Sequence, residues 1–289
     1  MKTVKSFVLS LALSASIGLP LLALPGSVAA SGAELVLDRV HIDVRDQASL
    51  QSGARTFVNQ CMGCHSASLM RYSKLRDIGL TDQQINRIIG LSDGQIKDNL
   101  LFTAEKVGEM MNAGMTRKDG KEWFGAAPPD LSVEARSRGA EWLYTYLRTF
   151  YRDPSTATGW NNLVFERVAM PHVLWTQSGQ AVLEVKEFKT ADELRAAQVQ
   201  AKRFARAESV TEADGSHRYL LKTTRIETPG SQSALEFDRT VRDLVTFMVW
   251  MAEPEQIARK RLGVMVLMFL GLLIALTYFL KKEFWNDVH

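Results

Sequence analysis

Apolar residues recur along this chain at helical spacing in three segments and run almost unbroken in two others. Leu50, Ala54, Phe57 and Cys61 follow one another at intervals of four, three and four, which puts them on one face of an amphipathic helix over Asp46 to Gln60. Glu134 to Tyr151 predicts a second helix, rich in aromatic residues at Trp142, Tyr144, Tyr146, Phe150 and Tyr151 and stopped near Asp153-Pro154. Phe237 to Ala258 predicts a third, with a broad apolar face of Val241, Leu244, Val245, Met248, Val249 and Met251. Between them the period fades. Leu80 to Gly125 reads as a glycine-containing stretch with short helical pieces, and Pro128-Pro129 then stops any regular element. Gly159 to Gln180 scatters Gly, Asn and Pro among large apolar residues, so it is stable only where it packs on something. Residues 181–188 and Arg218 to Ile226 alternate and predict a short β-hairpin, with the charged stretch 189–216 between them as a mobile or helical excursion. The pattern as a whole is mainly α, without an internal repeat.

The two apolar runs lie at the ends. Residues 1–30 open with Lys2 and Lys5, continue through Phe7-Val8-Leu9 and Leu21-Leu22-Ala23-Leu24, and close on Val28-Ala29-Ala30, the pattern of a secretory signal peptide cut near Ala30; an uncleaved anchor is the alternative. Leu262 to Leu280 holds no charged residue, and as a helix it extends about 28 Å, close to the hydrocarbon thickness of a bilayer. The expected organisation is a leader over 1–30, a folded body over 31–258, a transmembrane anchor over 259–281 and a tail over 282–289. Arg259-Lys260-Arg261 and Lys281-Lys282 flank the anchor on both sides, so the basic residues leave its orientation open and the leader decides it: body exported, tail inside.

Charge and cysteine usage narrow the chemistry. The body carries 28 basic against 30 acidic residues. This near balance gives no footprint for nucleic acid. The only two cysteines of the 289 residues lie three positions apart, so the chain is not a disulfide scaffold and the pair is read for its reactivity.

Cys61-Met62-Gly63-Cys64-His65 is a C-x-x-C-H sequence, the signature of covalent haem attachment. Two residues between the thiols let both sulfurs reach the vinyl groups on one haem edge, and the adjacent histidine is carried beneath the ring to the iron. A thioredoxin-like dithiol would sit beside a βαβ pattern, whereas a helix precedes this one; half of a zinc site would need a further soft or imidazole ligand. The second axial position separates functions: an open one suits gas or peroxide chemistry, a thioether suits electron transfer. Met110, Met111, Met115 and Met170 are the methionines to weigh. Met170 precedes Pro171 in the irregular apolar segment, Met115 sits in a glycine-containing loop, and His172 competes as an imidazole two residues on. His41 reads as a surface or supporting group.

Together these residues resemble the cytochrome c1 family, the haem subunit of the ubiquinol:cytochrome c oxidoreductase (cytochrome bc1) complex, in its proteobacterial form. The resemblance is carried by Cys61 to His65 with Arg71-Tyr72-Ser73-Lys74-Leu75, by Ala127-Pro128-Pro129-Asp130-Leu131-Ser132, by Ala169-Met170-Pro171, and by Ala252-Glu253-Pro254-Glu255 leading to Arg259-Lys260-Arg261. It implies a class I-like cytochrome c haem domain with irregular insertions, one haem c, and Met170 as the axial thioether. It further implies that Pro128 and Pro129 wall the haem and that Arg138, with Arg136 as the neighbouring choice, pairs with a propionate. The acidic inserts of some relatives are not evident. The implied function is a one-electron relay from a Rieske iron–sulfur protein to a cytochrome c, beside a cytochrome b subunit and in a lipid bilayer, with no acid or base catalyst of its own. A membrane-tethered haem sensor or gas-binding module is the alternative, separated by whether the reduced native protein forms a carbonyl adduct.

Overall fold

A computed structural model describes residues 36–88, 108–201, 203–212 and 214–286. The expected leader over 1–30, residues 89–107 of the glycine-containing stretch and the end of the tail lie outside the described residues. About half of the described residues are helical.

Helix α1, Gln47–Gln60, starts where the Asp46 side chain accepts the Ser49 N–H at 3.1 Å, and it buries Leu50, Ala54, Phe57 and Val58 on the face expected from their spacing. Cys61 caps its end, so the cysteine motif begins as the helix stops. Strand β1, Ala67–Arg71, a 3-10 helix, Tyr72–Ile78, and α2, Asp82–Ile88, follow. Strand β2, Met110–Met111, pairs antiparallel with β1, and α3, Arg117–Phe124, opens on a reciprocal cap between Thr116 and Asp119.

The helix expected over Glu134 to Tyr151 is instead three elements: α4, Glu134–Arg138; α5, Ala140–Arg148; and strand β3, Phe150–Arg152. Gly139 has φ +90°, outside the helical region and open to a residue without Cβ, so the helix breaks there. The aromatic pair Phe150-Tyr151 then pairs with strand β4, Trp160–Asn162, in the extended form that aromatic residues favour. The stretch 159–180 is otherwise irregular until α6, Trp175–Ser178.

Strand β5, Gly179–Phe188, and strand β7, His217–Pro229, contain the two alternating segments, and they do pair antiparallel, Ala181 with Ile226 through Phe188 with Tyr219. They form the middle of a five-stranded sheet rather than an isolated hairpin, because α7, Ala191–Gln200, and strand β6, Arg206–Thr211, fill the connection. The strand order is β4-β3-β5-β7-β6, and β3 meets β5 in parallel.

Helix α8, Ala234–Ala252, begins on a Ser233–Glu236 capping box and lays Phe237, Val241, Leu244, Val245, Phe247 and Met248 into the core. It lies against α1 so closely that a Cβ on Gly53 would come 2.0 Å from the carbonyl oxygen of Asp243. Phe57 and Phe247 meet there at 5.5 Å. The helix ends at Ala252, short of the expected Ala258, because Pro254 drives Glu253 out of the helical region. Helix α9, Gln256–Asn286, carries Leu262 to Leu280 and buries none of its residues; among the described residues it is the helix long and apolar enough to cross a membrane.

Candidate functional site

The cysteine motif, the proline strip, α5, the irregular segment and α8 surround a cavity of about 280 Å³. Each contributes a distinct part, and the part follows from its local structure.

After α1, Cys64 and His65 both turn back to donate their N–H groups to the carbonyl of Cys61, at 3.1 and 2.9 Å. This turn brings Cys61, Cys64 and His65 onto one lining of the cavity. The thiols are free rather than joined to each other. Burial, with the neighbouring Cys64 second, pushes the Cys61 thiol up to about 12, and burial also raises that of Cys64.

His65 is buried, and its Nδ1 lies 2.8 Å from the carbonyl of Pro129. A carbonyl only accepts, so that assignment places the ring proton on Nδ1 and leaves Nε2 bare, the arrangement of an imidazole ready to ligate a metal. Burial lowers the His65 pKa, against the Pro129 carbonyl and the charges of Glu134 and Asp130, and so keeps the ring neutral.

The Pro129 carbonyl is itself held in place. Leu131 N–H donates to Ser66 O at 2.8 Å, the Asp130 carboxylate accepts from the backbone of Ser68 at 2.9 Å and Ser132 at 2.8 Å, and Ser132 Oγ accepts from Leu69 N–H at 3.0 Å. The strip carrying Pro128 and Pro129 is thus laced along β1, and both prolines line the cavity.

Met170 lines the same cavity from the segment before α6, beside Val168 and Pro171, and its sulfur accepts a hydrogen bond from the Tyr146 hydroxyl at 3.4 Å. The other methionines weighed from the sequence are not on this lining: Met111 is fully buried in β2 beside Met110, and Met115 donates its N–H to Gly63 O at 3.3 Å. His172 is buried but committed elsewhere, with Nε2 2.8 Å from Ser178 Oγ and its ring stacked on Phe150 at 4.9 Å and edge-on to Trp160 at 5.2 Å. Burial lowers its pKa to about 3. His41 is exposed.

Arg138 reaches the cavity edge, stacked on Trp142 at 4.6 Å and paired with Glu134 at 3.0 Å, whereas Arg136 points to Glu253 at 3.8 Å and is not part of the lining. Sequence reasoning placed Trp142, Tyr146, Leu244 and Met248 in helices without assigning them to the site and did not name Phe165, yet all five line the cavity. The four-residue spacings of Trp142 to Tyr146 and of Leu244 to Met248 mark faces of α5 and α8, and those faces look into it. Two thiols, a bare imidazole nitrogen and the thioethers of Met170 and Met248 on an otherwise largely apolar lining form a donor set suited to a covalently attached haem.

A family model described as Cytochrome C1 family matches residues 40–202 and 230–288. A Nitrosomonas europaea protein named ammonia monooxygenase gamma subunit is 42% identical, over 94% of this chain and 97% of its own length. A cytochrome c1 of Allochromatium vinosum is 38% identical over 93% of this chain and 96% of its own, and one of Rhodospirillum rubrum 27% over 84% and 83%.

Proposed function

This chain belongs to the cytochrome c1 family, and from that premise we propose that Cys61 and Cys64 hold its haem as thioethers while His65 and Met170 ligate the iron. The chain is the haem subunit of a cytochrome bc1 complex, carries a covalently bound haem c, and is membrane-anchored, with α9 as its membrane helix. One observation carries the residue assignment: the two thiols, the bare His65 nitrogen and the Met170 sulfur line a single apolar cavity.

Bound there, the haem supplies a reversible one-electron change at its iron. The chain's own residues bind, orient and exclude water. The Pro129 carbonyl fixes the His65 ring and makes it more basic toward a metal. Leu131, Leu143, Leu244 and Met248 keep the cavity dry, and the Arg138 guanidinium at its edge offers a charged partner to a propionate. No side chain needs to move a proton.

In this reading the domain of residues 31–258 is a class I-like haem domain on the periplasmic side of the bacterial inner membrane, the leader 1–30 is removed near Ala30, the anchor spans 259–281 and the tail 282–289 stays inside. The domain takes single electrons from the Rieske iron–sulfur protein and passes them to a cytochrome c. The test is purification through a tag on His289, with cytochrome b and a Rieske protein expected to come with it. Recovery of oxygenase subunits instead would place the chain in the assembly named for the Nitrosomonas europaea relative.

Met170→Leu in that complex should abolish the thioether-to-iron charge-transfer band, admit carbon monoxide to the reduced haem, and lower the potential by at least about 59 mV, a tenfold change in a one-electron equilibrium. An unchanged band and potential would show that another group ligates the iron.

A further inference from the structure

Tyr146 places its hydroxyl against the sulfur of Met170, 3.4 Å away, in the cavity wall. A thioether sulfur is a weak acceptor with two lone pairs, so one directed at a metal leaves the other for a donor. The donor here cannot wander. Its ring stacks on Trp142 at 4.9 Å and 11° and meets Phe150 edge-on at 5.1 Å, while the Tyr146 carbonyl accepts from the Asn162 amide at 2.8 Å. The acceptor's segment is braced through the same Phe150 and by its own hydrogen bonds. Two residues beyond Met170, His172 lies flat on the far ring, Phe150, and its Nε2–H donates to Ser178 Oγ, which in turn donates to the Gly179 carbonyl at 2.9 Å. Donor and acceptor therefore meet because separate elements aim them at each other, not because either is loose.

On the reading that Met170 ligates the iron, we propose that Tyr146 is a positioning residue whose O–H···Sδ hydrogen bond holds the thioether in its ligating orientation and raises the haem potential. A hydrogen bond to the sulfur withdraws electron density from it. Less donation reaches the iron, and the oxidised state, which carries the greater positive charge, loses more from that than the reduced one. The usual net worth of a neutral hydrogen bond sets the scale at roughly two- to tenfold in the reduction equilibrium, the upper end corresponding to about 59 mV for one electron.

Tyr146→Phe removes the hydroxyl and keeps both ring contacts. Redox titration of the c-type haem in the purified complex, with the charge-transfer band of its oxidised form, reads the effect. The expected result is a band that persists at a shifted energy and a reduction constant two- to tenfold lower. Site-specific replacement of Tyr146 by 3-fluorotyrosine, a stronger donor of nearly the same shape, should raise the constant instead; should Tyr146→Phe not assemble, this protein decides alone. A potential and band unmoved by these replacements, in a complex whose band is lost in Met170→Leu, overturn the role of Tyr146 and leave Met170 as ligand. A band that survives Met170→Leu removes the ligand assignment, and the role of Tyr146 falls with it.

Discussion

Asp130 takes no part in ligation, yet it sets where the imidazole of His65 sits. Its carboxylate binds the backbone of Ser68 and Ser132, and that lacing carries the Pro129 carbonyl to the ring. Burial alone would raise its pKa, but the Ser132 and Ser68 hydrogen bonds outweigh it and hold the carboxyl below the ordinary 3.8. A carboxylate depressed in the fold contributes its stability in full above that ordinary value and loses it as pH falls through the lower folded one. Asp130→Asn should therefore lower stability by about 1–2 kcal/mol at neutral pH. In thermal unfolding scans the gap from the parent should close below pH 4; a gap that stays constant into acid would show that charge plays no part. At this scale the cysteine motif was legible because its whole meaning lies within five residues. From pattern alone Met170 was one of several choices, and it was the family resemblance that singled it out; the contact of Tyr146 to it was not legible, because the two lie 24 residues apart.

Helix α1 was readable from the spacing of four residues, because its apolar face is local. The stretch after Glu134 differs from the single expected helix because a Gly within a helical pattern can be tolerated, so neither the break at Gly139 nor the pairing of Phe150–Arg152 with Trp160–Asn162 shows in the pattern. The five-stranded sheet was hidden for the same reason: three-residue strands carry no alternation to read, and β3 finds β5 across a long separation. What neither pattern nor propensity announces is the closeness of α1 and α8. At Gly53 any side chain meets the backbone of Asp243, so Gly53→Ala must push the helices apart or bend one, at a cost of about 1–3 kcal/mol. Thermal unfolding followed through the haem absorbance of the complex would register it as a lower midpoint; an unshifted midpoint would mean that the helix contact yields freely.

Across the whole described chain, distant segments are tied at Arg148, whose guanidinium pairs with Asp38 at 2.7 Å and Asp238 at 2.8 Å while only 6% of its side chain is exposed. It thereby joins the segment before α1, α5 and α8. Arg148→Met leaves two partly buried carboxylates short of a partner and should cost about 3 kcal/mol, with Arg203 still bonded to both carboxylate oxygens of Asp238. Protease resistance of the body, compared with the parent, should fall; equal resistance would make this pair of bridges dispensable. The cavity also draws on both ends of the body, with Cys61 near its start and Leu244 and Met248 near its finish. Because synthesis runs from the first of these to the last, the thiols emerge long before the wall that will enclose them. In the folded body Cys61 is buried while Cys64 stays half-buried on the cavity wall. An open chain thus offers both sulfurs freely, and α8, the last-made helix of the body, completes the wall around whatever they hold.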